Sequence, residues 1–332
     1  ENSFLMEDAF SLWLGLLRLS TPGDMNSVSQ LDALYIRAPP ALERGLEHVK
    51  VLMLISESYI LYNGVAFLNK HADTLIHVLK LVVGQVRPRG VVYIGLVLEA
   101  LLRGFPVEGG MVLARGGILT TMLESCAANI CQEKECEPDR VMVVYLTAMA
   151  RILVASPHAI NACFPMPSPS YNASFGPRQL VEMFLNLFPD PGDDSCSGLR
   201  RKLWIMALLS FLPPTSKESI FSQPTLECMD QLMTVSYQFL SKQEGEGIQA
   251  LSVGYDSEEE SVVVGQTIYD SLTTNAMLQD PVVTLDLRSF FQQKMQGLPM
   301  VIGIEAHANV LSTVEPATLV NLQKLLVGNS TS

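Results

Sequence analysis

Three cysteines, Cys126, Cys131 and Cys136, come closest to a metal-ligand pattern in this 332-residue chain. A zinc site wants a close Cys-x-x-Cys pair, so that two ligands leave the same turn together. A constant spacing of five instead turns successive side chains away from a common helical face. His71, Asp73 and His77 share one amphipathic segment, but His71 and His77 are six apart and fall on different faces, which reads as solvated or locally hydrogen-bonded histidine. Nucleophilic catalysis would need a G-x-S-x-G elbow with a histidine and an acid, and none is present. Phosphate binding would need a Walker loop or a strand followed by G-x-G-x-x-G, and neither occurs. No acid, base and nucleophile converge in sequence, so the chain reads as a non-enzyme with no cofactor and no metal. Its 15 methionines, Met142 and Met149 among them, read as adaptable core.

The polar stretch that carries most information is "YDSEEESV", Tyr255 to Val262. Asp256, Glu258, Glu259 and Glu260 stand there without a basic neighbour, which predicts an exposed acidic loop. From Gln243 to Leu287 there is no Lys or Arg, while Glu244, Glu246, Asp256, Glu258, Glu259, Glu260, Asp270, Asp280 and Asp286 carry most of the net charge of -12. A solubilising linker is one reading of the stretch. The other is an electrostatic lure for a basic partner, which acts on association rate and weakens with salt. Ser257, followed by three glutamates, is a candidate phosphate acceptor. The overall negative charge excludes a generic nucleic-acid binder, which needs clustered Lys and Arg.

The elements around these residues read as helical. The chain is 48% hydrophobic and 17% charged, with a mean hydropathy of +0.26, enough to bury a large core. No uncharged, proline-free run reaches the roughly 18 residues of a membrane span. "FLMEDAFSLWLGLLRLS" sets Phe4, Leu5, Ala9, Leu12, Trp13, Leu16 and Leu17 at three-and-four spacing and ends before Thr21, Pro22 and Gly23. A long apolar pattern from Ala41 breaks at Asn63 and Gly64, and its continuation stops at "RPRG". Apolar helices starting near Ala41, Pro88, Pro138 and Leu199 are each followed by a return helix, at spacings of 47, 50 and 61 residues. These approach the roughly 40 to 47 residues of a HEAT or armadillo unit, with an ordinary helical bundle as the competing architecture. The Pro- and Ser-rich stretch around 164–177 lengthens the third unit. A start at Glu1, inside a helix and without a signal peptide, reads as a piece of a longer chain. Six dispersed cysteines fit a reducing, intracellular compartment.

"GLRRKLWIMALLSFLPP" (198–214), "LQDPVVTLDLRSFFQQKM" (278–295) and "LSTVEPATLVNLQKLLVG" (311–328) together resemble the carboxy-terminal part of the importin-β (karyopherin-β) superfamily. "FLMEDAFSLWLGLLRLS" and "VVYLTAMARILVAS" fall where comparable helices of that family stand. The resemblance covers essentially the whole chain and departs in the Pro/Ser loop and the length of the acidic segment. It implies an all-α fold, an α-solenoid of antiparallel HEAT/ARM-like helix pairs in a right-handed superhelix. The expected layout is about five repeats over 1–242, an acidic loop over 243–277, capping helices over 278–328 and a tail over 329–332. It further implies a monomer that shuttles between cytoplasm and nucleus. Its partners would be protein cargo, basic in character, and nucleoporin Phe-Gly repeats, with Ran-GTP acting through amino-terminal repeats that this sequence lacks. No direct contact with nucleic acid and no membrane insertion are implied. Asp256, Glu258, Glu259 and Glu260 are the candidate partner-binding residues. A helical-repeat scaffold subunit outside transport is the alternative. The basic triplet Arg200, Arg201 and Lys202 sits at the unfavourable end of a helix dipole and has no role in this reading.

Overall fold

The computed structural model describes residues 3–19, 30–131, 139–164, 175–189, 198–212, 220–246 and 268–327. Every regular element among them is a helix, and the chain divides into two compact units. Unit 1 comprises Glu1–Ser125, Glu137–Ala148 and Tyr255–Asp280; unit 2 comprises Cys126–Cys136, Met149–Gly254 and Pro281–Ser332.

Unit 1 is built around α3 (Val49–Val82), which packs against α1 (Ser3–Leu19), α2 (Ala38–Arg44) and α4 (Pro88–Gly104). Proline at the start of α4 and α5 (Pro106–Arg115) suits a first turn that needs no amide donor. The α3 backbone leaves helical geometry at Asn63, as the Asn-Gly pair predicts. Gly64 is required there by close approach: a Cβ would lie 2.6 Å from the Phe105 ring. By length and composition α3 and its lead-in, Leu46–Val82, are apolar enough to cross a membrane when a few charges are tolerated, although, as expected, no uncharged run in it reaches 18 residues. Burial explains the apolar length instead: 61% of its most apolar window is covered inside the protein, and the kink divides it.

An aromatic cluster fixes the α1–α3 contact. Trp13 Nε1 donates to the Tyr59 hydroxyl at 3.0 Å, and the Tyr59 and Phe67 rings stack at 5.1 Å. Tyr35, in a short 3-10 turn ahead of α2, is fully buried with its hydroxyl 2.7 Å from Ser56 Oγ. Burial pushes the Tyr35 hydroxyl far above its ordinary pKa, outweighing that hydrogen bond, so it remains a neutral core group. α6 (Ile118–Cys131) follows a Gly116–Gly117 turn, with Gly117 at positive φ. The first part of α7 (Asp139–Ala155) is tied to the turn after α3, because the Gly84 amide donates to Tyr145 Oη at 2.9 Å.

Unit 2 is built around α10 (Gly198–Ser210), of which ten residues are buried. It packs against α9 (Pro177–Asn186), α12 (Met229–Glu246), α14 (Pro281–Thr284) and α15 (Leu287–Ile302). The greasy run of the sequence is therefore a central helix covered from several sides, and its low amphipathicity follows. Trp204 meets Phe184 edge to face at 5.3 Å, and beyond the helix end Phe211 stacks on Phe221 at 4.4 Å. The expected single return helix is split into α11 (Ser222–Glu227) and α12. α8 (Pro157–Asn161) is a short turn after α7, and α16 (Ile304–Ser312) and α17 (Pro316–Val327) close the described chain. The Glu315 amide, just ahead of α17, donates to Asp230 of α12 at 3.0 Å, and Gln292 of α15 donates to the Leu326 carbonyl at 2.9 Å.

α15 begins at a textual N-cap signal, Asp286, whose carboxylate accepts from the Ser289 amide at 2.9 Å and from its hydroxyl at 2.7 Å. Partial burial raises the Asp286 pKa, but the Ser289 hydroxyl, the Ser289 and Arg288 amides and the Arg288 charge outweigh it, leaving the pKa below the usual carboxylate value. A depressed folded pKa stabilises above the unfolded pKa and is lost as pH falls. Asp286→Ala is accordingly expected to cost about 1 kcal/mol at pH 7. The difference from the unsubstituted chain should shrink as the carboxyl protonates below about pH 4. Urea titrations of both chains at the two pH values measure this, and an equal difference at both would remove the capping role.

The acidic segment does not remain a loop over the whole of 243–277. α12 continues to Glu246, and α13 (Ile268–Leu278) forms a helix that packs on α1, α3 and α4 within unit 1. Tyr269, Leu272, Thr273, Ala276 and Met277 supply its half-buried stripe at three-and-four spacing.

Candidate partner-binding surface

Asp256, Glu258, Glu259 and Glu260 lie outside the described residues, as does Ser257. What the structure shows is the anchor that follows them. Tyr269, in the first turn of α13, donates to Glu57 Oε2 at 2.8 Å, and the Arg18 guanidinium lies 4.3 Å from the Tyr269 ring centre. Burial, reinforced by the adjacent Glu57 charge, raises the Tyr269 pKa well beyond the ordinary phenol range. The phenol therefore keeps its proton and serves as a donor to the buried carboxylate. At the other end of the strap Asp280 is fully buried and accepts from Arg103 Nε at 3.2 Å, while Arg103 Nη2 donates to Glu99 at 3.3 Å.

Glu57 and Glu99 were visible in sequence as lone charges within apolar runs, a pattern that demands partners. Their partners stand far along the chain, Tyr269 at a separation of 212 residues, and no local signal links them.

His71 is buried rather than solvated, with Nε2 against the Asp32 carboxylate, whose other oxygen takes Lys70 at 2.7 Å. His77 is exposed and lies 3.5 Å from Glu43, and Asp73 is exposed. The aromatic residues before and around His71 explain the difference: Tyr35 and Phe67 enclose it, each with its ring centre 5.5 Å away. Among the described residues no group of His, Cys, Asp and Glu is arranged to hold a metal ion. Cys126 is buried and unbridged. The basic triplet gains one structural role, since Lys202 is buried and donates to the Val283 carbonyl of α14 at 3.3 Å. Its stem packs in the core while its head satisfies an otherwise exposed helix end.

α1 carries one of the apolar stripes that unit 1 leaves exposed in this chain. Phe10, Trp13 and Leu17 are buried, while Leu5, Leu12 and Leu19 are 69%, 64% and 75% exposed and Leu16 is also exposed. The exposed leucines follow helical spacing of seven, four and three, so they form one stripe beside the core face. Between α1 and α2 lies a groove of ≈ 310 Å³ lined by Met6, Ala9, Phe10, Pro40 and Ala41, with Arg37 and Arg44 completing it. Such a surface is suited to docking apolar side chains and performs no chemistry by itself.

A family described as importin-11-like, TPR repeats, matches residues 1–327. The chain belongs to that family. Importin-11 of Mus musculus and importin-11 of Homo sapiens are each 24% identical to the importin-11-like chain, covering 98% of it and 32% of their own length. The chain thus spans about a third of these relatives. The solved structure of Lph2, described as a bidirectional nuclear transport receptor of S. cerevisiae, matches with a TM-score of 0.72 at 18% identity, over 96% of this chain and 34% of that one. That likeness places the importin-11-like chain in the all-α, helical-repeat fold class. HEAT, armadillo and TPR units are all stacked helical units, and the family description names the last of these.

Proposed function

We propose that this importin-11-like chain is the cargo- and nucleoporin-binding part of a nuclear transport receptor, shuttling between cytoplasm and nucleus. The observation that carries the reading is the family match over residues 1–327, supported by a fold shared with a nuclear transport receptor. Import cargo is released when Ran-GTP binds repeats elsewhere in the full-length protein. The chain itself contributes binding surface and no enzymatic step.

Basic protein cargo is drawn by the acidic segment, with Asp256, Glu258, Glu259 and Glu260 at its centre. Long-range attraction of this kind raises association rates and is screened within about 8 Å at physiological salt. Capture of proteins by the full-length receptor, with and without Ran-GTP, tests the transport reading: cargo should be retained without Ran-GTP and released with it. Retention unaffected by Ran-GTP counts against an import receptor. Exchanging Glu258, Glu259 and Glu260 for glutamine should slow association of captured basic cargo several-fold at low ionic strength, with little change in dissociation. Stopped-flow rates at two salt concentrations measure it, and an unaltered association rate removes the acidic segment from cargo binding.

A further inference from the structure

We infer that α13 is a displaceable strap: it closes over a charged site on α1, α3 and α4, and it lifts as a unit to admit a partner helix bearing the same two anchors, a phenol and a carboxylate. Every group involved belongs to unit 1, so the strap goes beyond the transport reading and its behaviour is independent of what the chain carries.

Two polar ties hold α13, one at each end. Tyr269 donates to Glu57 of α3 at 2.8 Å, and Asp280, just past the helix, accepts from Arg103 of α4 at 3.2 Å. Between the ties the seating is shallow: every residue from Tyr269 to Gln279 is half-buried or exposed, and Asp280 is the first that is buried. The helices beneath are held differently, since α4 alone buries ten residues. Local stability follows buried apolar contact, and a helix of 11 residues is marginal in water by itself. α13 therefore opens well before α3 and α4 come apart.

The ties are also of a kind that water can replace. An apolar side chain lifted from a core loses its burial with nothing in return, whereas Glu57 and Arg103 exchange protein partners for water when the strap lifts. Glu57 and Glu99 are 6% and 4% exposed, charges set within apolar runs that well-packed apolar residues would fill with no loss of stability. Their presence suits a site that opens and selects what covers it. Its chemistry names the occupant. Glu57 takes a hydroxyl donor, the Arg18 guanidinium lies 4.3 Å from the centre of the ring that carries it, and Arg103 takes a carboxylate besides Glu99. Tyr269 and Asp280 are separated by about three helical turns, so both anchors fall on one face of the segment. A basic helix would bring cations against Arg18 and Arg103, and a purely apolar one would cover Glu57 without replacing the phenol.

Hydrogen exchange of the 332-residue chain measures the opening. Amides of 272–278 should exchange about 100-fold faster than those buried in α3 and α4, at a rate that small additions of urea leave nearly unchanged. The occupant is tested with a fluorescein-labelled peptide of the strap itself, IYDSLTTNAMLQD (268–280), followed by fluorescence anisotropy. The peptide should bind a chain carrying Y269F/D280N about tenfold more tightly than the parent, whose tethered strap competes at high effective concentration. A peptide with the same two exchanges should bind that variant about tenfold more weakly, because it lacks both anchors. The proposal is overturned if 272–278 exchange only as fast as α3 and α4, if the peptide binds neither chain, or if parent and variant bind it equally. It is equally overturned if the doubly exchanged peptide binds as well as the original. Should Y269F/D280N itself bring α3 and α4 to the exchange rate of 272–278, α13 belongs to the core and is no strap.

Discussion

Asp280→Ala should lower the unfolding free energy by about 3 kcal/mol, the lower part of the range for breaking a buried ion pair. The Asp280 side chain is fully buried and the Arg103 side chain is 9% exposed, so the carboxylate's removal leaves a guanidinium that water cannot reach freely. Glu99, 3.3 Å from Arg103, limits the damage. Asp280→Asn keeps an acceptor of the same shape and should cost less. Two readouts separate the ion pair from general packing: urea unfolding gives the energy, and hydrogen exchange over α13 reports whether its carboxy-terminal tie has opened. A loss under about 1 kcal/mol, with exchange over 268–278 unchanged, would show the pair to be dispensable.

Trp204→Ala should cost more, about 3–5 kcal/mol, since a fully buried indole leaves a cavity at the centre of α10 that its neighbours cannot fill. Phe184 loses its edge-to-face partner at 5.3 Å and Phe188 one at 6.4 Å. Trp204→Phe should recover much of the difference. The chain has 2 tryptophans, Trp13 in unit 1 and Trp204 in unit 2, so fluorescence can follow each unit separately. In Trp204→Ala the remaining emission reports unit 1 through the Trp13–Tyr59 contact, while far-ultraviolet circular dichroism reports both units. The expected result is a circular dichroism transition shifted to lower urea. An unshifted transition would mean that α10 does not organise unit 2.

Where the physics is local, the fold could be read from the chain. Pro88 opens α4, the Asn63–Gly64 pair breaks α3, and the apolar run after Lys202 is the buried middle of α10. Each follows from backbone preference or the 3.6-residue period. α13 was hidden because its stripe, from Tyr269 to Met277, is weakly apolar and sits in an acidic stretch that reads as solvated. His71 was misread for a related reason: periodicity locates a face but does not say what aromatic rings will close over it. On α1 the apolar arc spans about half the helix, and sequence cannot tell which part is covered. Trp13 and Leu17 face the core, while Leu5 and Leu12 remain open. Of the residues singled out in sequence as a binding site, Asp256 and Glu258–Glu260 lie outside the described structure.

The contact between Tyr269 and Glu57 also sets a clock. A stack of helix pairs completes each unit soon after it is synthesised, because its contacts are between neighbours. Unit 1 has to wait for α13, and the 212 residues separating the partners take about 10–40 s to translate at the usual 5–20 residues per second. Throughout that interval the faces of α1, α3 and α4 that α13 will cover stand open on a nascent chain, with Glu57 still lacking the phenol that will donate to it.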